Sequence, residues 1–130
     1  MVTKRKKLIK QLDELTKEII KKRDNYACQK CGKKVEGINC HWSHIIPVSR
    51  SLRLRWDFQN SMVKCFHCHI NWWHKHPLAA ANWFKKNFPK RWKYLSEKEN
   101  EIRKILPVKL FELEELIVKY RKKLRKLRKL

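Results

Sequence analysis

The chain has 130 residues, with 34 Lys or Arg against 12 Asp or Glu and a formal net charge of +22 at pH 7. That length suits one domain with one modest core, and a field of this sign selects polyanions, nucleic acid first and an anionic membrane surface as the rival. No stretch approaches the roughly 18 apolar residues of a membrane span, and Met1–Lys10 is too charged to hold the apolar region of a signal peptide.

The first predicted element is a basic helix over residues 1–27. Leu8, Leu12, Leu15 and Ile19 recur at helical spacing, and Thr3 is placed to cap it. Residues 28–77 break this pattern and concentrate cysteine, histidine and tryptophan. Here the expectation is a knuckle at 28–34, short antiparallel strands around 38–46 and 59–65 joined by a loop at 47–58, and a helix from near Cys68. Residues 78–130 return to helix: Ala79 to Phe88, stopped by Pro89; Lys90 to Leu106, stopped by Pro107; and a last helix from near Val108. In that last helix Leu110, Leu113, Ile117, Tyr120, Leu124 and Leu127 alternate three and four apart. This stripe has two readings, packing against the first helix or the central zone, or the seam of a homodimer. The fold class is therefore α+β and predominantly helical, a single domain with a metal-bound centre between N-terminal and C-terminal helices.

The centre carries two C-x2-C pairs, Cys28 with Cys31 and Cys65 with Cys68. The expected setting is a reducing cytosol, where paired cysteines are metal ligands more often than disulfides. Two such turns facing each other complete a tetrahedral four-sulfur site, and a closed thiolate shell is a structural zinc. Cys40 is left over and reads as a small buried apolar residue. A redox dithiol reading is weak, because no βαβ pattern surrounds either pair.

Between the pairs runs His41-Trp-Ser-His44-Ile-Ile-Pro47, then Asn60, with His69 directly after the fourth cysteine. This order resembles the HNH endonucleases, whose fold is a ββα-metal unit holding one catalytic metal. The resemblance implies His44 as the general base, His69 as a metal ligand, and Asn60 as a residue that orients the loop or the base or touches the metal. Phosphodiester hydrolysis needs such a base and a cation, and neutral imidazole takes a proton near neutral pH. The implied products carry 5′-phosphate and 3′-hydroxyl ends. The commonest version of the motif has Asp or His just before the base, where this chain has Ser43. Alternate residues of a strand share a face, so His41 is the expected substitute ligand. Two imidazoles and an amide suit Mn, Ni, Co or Zn better than Mg, which leaves the catalytic ion open among Mg, Mn, Ni and Zn. His74 and His76 follow the metal-ligand helix and are either near the metal or on the surface.

The stretch from His44 through Arg50 to Trp56-Asp57-Phe-Gln-Asn60, followed by Cys65-Phe-His-Cys68, further resembles the phage lambda NinG (Rap) family of recombination endonucleases. That resemblance implies cutting of branched DNA such as Holliday junctions and D-loops. His69, where that family usually has Asn, and His41, where an acid is common, depart from it. Arg50, Arg53 and Arg55 in the interstrand loop, and Lys122 and Lys126 in the basic tail, are the expected phosphate contacts. The alternative for Ser51–Arg55 is a half-buried segment with its arginines in water. Trp42, Trp56, Trp83 and Trp92 are expected in the core. Trp72 and Trp73 diverge on one helix, so that one is core and the other is free to stack on an unpaired base. DNA is the expected partner, with no membrane and no small-molecule cofactor. Against the branched-DNA endonuclease stand a sequence-tolerant HNH nicking or double-strand nuclease, a non-catalytic zinc-finger DNA-binding module and an RNA-binding zinc ribbon.

Overall fold

A computed structural model describes residues 2–101 and 107–129 of the chain. The N-terminal helix α1 spans Lys4–Arg23, and the Thr3 hydroxyl accepts the Lys6 N–H at 3.2 Å, capping it as expected. It ends four residues short of the predicted boundary. Asn25 and Tyr26 take left-handed φ values of 56° and 52°, and their N–H groups return to the carbonyls of Lys22 and Lys21. That reversal satisfies the last carbonyls of the helix and turns the chain into the cysteine knuckle.

The strands are shorter than predicted. Strand β1 is His41–His44 and β2 is Ser61–Lys64, paired antiparallel with His41 opposite Lys64 and His44 opposite Ser61. Between them lie a one-turn helix α2, Leu52–Arg55, capped by the Ser51 hydroxyl, and a 3-10 turn Phe58–Asn60 capped by Asp57. The predicted loop at 47–58 thus contains a helix. After β2 the chain forms a π-helical turn, His67–Trp73, and then α3, Pro77–Asn87, α4, Pro89–Glu101, and α5, Leu110–Arg128. The predicted extension of α4 through Leu106 falls at 102–106, outside the described residues.

Three apolar clusters hold the elements together. Leu12 and Ile19 of α1 meet Leu113, Ile117, Tyr120 and Leu124 of α5, with Trp56 sealed between. The heptad stripe is therefore packed inside the chain, the first of its two readings. A second cluster gathers Ile20, Val35 and Val63 around Cys28, Cys65 and Cys68. The third packs Ile46, Leu54 and Met62 against Phe84 of α3 and Leu95 of α4. The hairpin is thus gripped from both sides. Polar ties reinforce the grip: Arg91 of α4 donates to the carbonyls of Gln59 and Ser61, Tyr120 of α5 to that of Trp56, and Arg23 of α1 to those of Phe58 and Ser61. Among the described residues, no helix is long and apolar enough to cross a membrane.

Candidate functional site

The four sulfurs of Cys28, Cys31, Cys65 and Cys68 all lie within 4.8 Å of one another, and those of Cys31 and Cys65 are 4.0 Å apart. A tetrahedral zinc with Zn–S bonds of about 2.3 Å requires sulfurs about 3.8 Å apart, so the cluster has the size the ion needs. Gly32, at φ +79°, supplies the left-handed turn that closes the first pair, with its N–H on the Cys28 carbonyl at 2.8 Å. Burial works against ionising Cys28, yet backbone N–H groups of Cys31, Cys65 and Lys30 outweigh it and bring the thiol down to about 7. Cys68 moves the other way, raised by burial and by its cysteine neighbours. An ion is what allows all four to be thiolates together.

Lys64 was missed in the sequence. It is fully buried, donates to the Ser43 hydroxyl at 2.8 Å, and its ammonium sits 3.7 Å from the centre of the Trp73 ring. Burial pulls its pKa down to about 7, while Cys28 and Cys68 act in the opposite direction. A zinc held by four thiolates would carry two net negative charges, and the Lys64 ammonium is a buried cation placed to answer them. Nothing in the alternation around Lys64 announces this. The signal was the position itself, a lysine between a strand of apolar residues and a cysteine. Ser43, buried and bonded to Lys64, is accounted for without a metal.

The imidazoles come from β1 and the π-turn. His41 and His69 approach through their Nδ1 atoms at 2.9 Å. His74 reaches His69 through the Nε2 atoms at 3.1 Å. The π-turn explains the second contact. Its i→i+5 bond, from the His74 N–H to the His69 carbonyl at 3.2 Å, sets residue 74 over residue 69, where an α-helix would turn it away. Two nitrogens about 2.9 Å apart are the spacing of adjacent ligands on one ion with metal–nitrogen bonds of 2.0–2.1 Å. His69 can share such an ion with His41 through Nδ1 or with His74 through Nε2. A single ion does not take both. Either pair fits a divalent ion whose other ligands are water or substrate oxygens, and of the two partners only His74 lines the cavity that His44 and His69 share. Among the described residues, only the cysteine cluster brings three or more His, Cys, Asp or Glu ligands together. His69 is held down at about 4 by burial, then by His74, Lys64, His41 and His44. It is neutral at pH 7, the state a metal requires.

His44 stands three residues from His41, on the opposite side of β1. Its Nε2 lies 3.0 Å from the carbonyl of Arg55. A carbonyl only accepts, so Nε2 carries the hydrogen and Nδ1 keeps its lone pair. Burial lowers the pKa of His44, partly opposed by that same carbonyl. Arg55 is itself fixed by a bidentate pair with Asp13 of α1, at 2.8 and 2.5 Å, and Trp56 donates to the same carboxylate. Asn60 is fully buried and saturated: its Oδ1 accepts from the Ile46 N–H at 2.8 Å, and its Nδ2 donates to the carbonyls of Ile46 and Leu54 at 3.0 Å. It clamps the two ends of the interstrand loop, and its carbonyl oxygen is turned to the backbone, away from any ion.

The rings of His44, His69 and His74 line one cavity of about 570 Å³ between the hairpin, the π-turn, α3 and α4. His44 and one expected ligand, His69, thus face a common space with room for a hydrated ion; the other expected ligand, His41, does not line it. Other expected site residues are more dispersed. Arg50 pairs with Glu99 at 2.9 Å and Arg53 with Glu112 at 2.9 Å, both near the surface. Arg55 is turned inward to Asp13 and is only partly exposed. Lys122 and Lys126 lie exposed on α5. His67 and His76 are exposed, and His76 makes only backbone contacts at the start of α3. Trp56 is in the core as expected; Trp42, Trp83 and Trp92 are half-buried at its edge. Trp72 and Trp73 are both half-buried, each edge-on to Trp83, which corrects the expectation that one of them stands free. Trp72 also lies under the Lys30 ammonium at 4.7 Å.

A hairpin followed by a helical turn, bearing imidazoles and gathered at its base by four cysteines that could hold a zinc, defines a ββα unit. Residues 28–72 of this chain match the family model of the HNH endonucleases, a segment that includes all four cysteines, His41, His44, Asn60 and His69. The match supports nuclease chemistry on DNA and metal binding in this segment; it does not single out the NinG branch. No curated protein and no solved structure matches the chain.

Proposed function

We propose that the protein is a divalent-metal-dependent DNA endonuclease in which His44 is the general base. The observation that carries the reading is the orientation of His44: its Nε2–H is held by the Arg55 carbonyl, and its ring opens onto the cavity shared with His69. Neutral at pH 7, its Nδ1 takes a proton from the attacking water. His69 would hold the divalent ion, with His41 at its Nδ1 or His74 at its Nε2 as the second imidazole, and the ion would supply charge neutralisation at the phosphate and at the leaving 3′ oxygen. The products then carry 5′-phosphate and 3′-hydroxyl ends. Arg50, Arg53, Lys122 and Lys126 contact phosphates, which positions DNA without reading its sequence. Asn60 acts through the loop that it clamps.

The preferred substrate is branched DNA, a recombination intermediate, in keeping with the NinG-like order of residues 44–68. The test supplies matched linear, nicked, flap and four-way-junction DNAs with Mg, Mn, Ni or Zn in turn. Cleavage that vanishes in His44→Ala, with zinc content and DNA affinity retained, supports the base assignment. Wild-type cleavage rates in that variant would overturn it, and equal rates on linear and branched DNA would overturn the substrate preference.

A further inference from the structure

The cavity that the imidazoles line is larger and more apolar than phosphate chemistry needs. Its apolar lining includes Ile46 from the loop after β1, Trp73 from the π-turn, Ala81 and Phe84 from α3, and Trp92 and Leu95 from α4. Phe84 presents its ring edge-on to Trp73, with centroids 6.5 Å apart and planes at 87°, and lies 6.4 Å from Trp92. The volume, about 570 Å³, falls in the range of small-ligand pockets. Its polar lining is His44, His69 and His74 from the hairpin and the π-turn, and Ser96 and Glu99 from α4. Glu99 is already paired with Arg50. The outward faces of the two helical walls carry Lys85, Lys86, Lys90 and Lys93, all exposed.

We infer that this cavity receives one nucleobase, from an unpaired nucleotide flanking the scissile phosphate. The inference rests on the nuclease reading above and narrows its substrate class. The chemistry of the walls matches a nucleotide part by part. An aromatic-lined slot takes a flat base on stacking and apolar contact, which tolerates any of the four bases. Imidazoles of the lining face the phosphate, and lysines on the outer walls meet the flanking backbone. In a paired duplex the bases point away from their phosphates into the stack, so no base reaches a pocket beside the cleaved bond. A nucleotide enters only when it is extrahelical, and unstacking costs least where pairing is already lost, as at a bulge or a branch point. Selection for distorted DNA then resides in the slot, separate from the hydrolytic groups.

The experiment uses the full chain with zinc retained and no added divalent ion. A duplex carries 2-aminopurine, a fluorescent base, either as a single-nucleotide bulge or paired at the same site. Binding is expected to change the emission of the bulged probe and leave the paired probe unchanged. Ala81→Phe and Ser96→Phe, which fill the cavity from opposite walls, are expected to abolish the change; two variants guard against one that misfolds, and zinc content identifies it. With divalent ion added, a bulge carrying a base should be cut about tenfold faster than the same bulge with an abasic residue, and the ratio should fall to about one in the filled variants. Emission from the bulged probe that is unaltered by binding, or that changes equally in wild type and both filled variants, overturns the inference. So does equal cutting of base-bearing and abasic bulges by the wild type. If no DNA is cut at all, the nuclease reading fails, and the emission experiment still decides whether the slot holds a base.

Discussion

His44 is set by a relay of contacts that starts on another helix: Asp13 fixes the Arg55 side chain, and the Arg55 carbonyl fixes the imidazole. Removing the imidazole should cost the 10²–10⁴-fold typical of a general base. The pH dependence follows from burial. The folded-state pKa lies below the ordinary 6.5, so the base is neutral and cleavage is flat above about pH 6.5. The acid limb should lie below that value, since only there does the buried ring protonate. The same shift enters stability. Neutral burial of His44 contributes stability that is fully present above 6.5 and is lost as pH falls through its lowered folded-state pKa, because the unfolded chain binds the proton first. Thermal unfolding of wild type and His44→Phe between pH 5 and 8 checks this: the wild type should lose more stability on acidification. An acid limb at or above 7 would contradict the burial account. Asn60 works differently. Asn60→Ala strands the buried N–H and carbonyl of Ile46, and each unsatisfied group costs about 1–3 kcal/mol. Urea unfolding should show the loss, and cleavage should fall with it because the loop carrying the Arg55 carbonyl is freed.

Among the elements, the hairpin and the π-turn have no apolar core of their own; they borrow one from the cysteine cluster and from α3 and α4. Stripping zinc with a strong chelator should therefore unfold the central segment while α1 and α5 persist. Circular dichroism should show partial helix loss and near-complete loss of tryptophan asymmetry, restored by added zinc. Intact tertiary signals without zinc would show the staple to be dispensable. What was legible here follows physical locality. The two C-x2-C pairs, the Thr3 cap, the stripes of α1 and α5 and the His–Asn–His order are short-range patterns, and each appears where the sequence placed it. The π-turn was read as ordinary helix, because one extra residue per turn leaves no mark on an apolar pattern this short. That extra residue is what delivers His74 to His69. Nothing local marks Lys64 as buried; the groups that favour its charge there include the sulfurs of Cys28 and Cys68, which only the fold brings together. Arg55 read as a phosphate contact, because its carboxylate partner lies 42 residues earlier in α1.

For the whole molecule, the surplus of positive charge has one outlet. Most carboxylates near the site are already engaged: Asp13 with Arg55, Asp24 with Arg23, Glu99 with Arg50, Glu112 with Arg53. The lysines and arginines of the α5 surface face water. DNA affinity should then fall steeply with salt, each phosphate contact adding about 0.9 to the slope of log K against log salt. Lys122→Ala with Lys126→Ala should lower that slope by about two and weaken binding equally across sequences; an unchanged slope would remove α5 from the interface. The packing of α1 against α5 has a separate outcome during synthesis. The stripe of Leu12 and Ile19 leaves the ribosome early, and its partner around Leu113 to Leu124 leaves about a hundred residues later. Until then the nascent chain carries a bare greasy ridge, and a product terminated before residue 110 would carry it permanently, inviting capture by chaperones or proteases rather than release of a half-built chain.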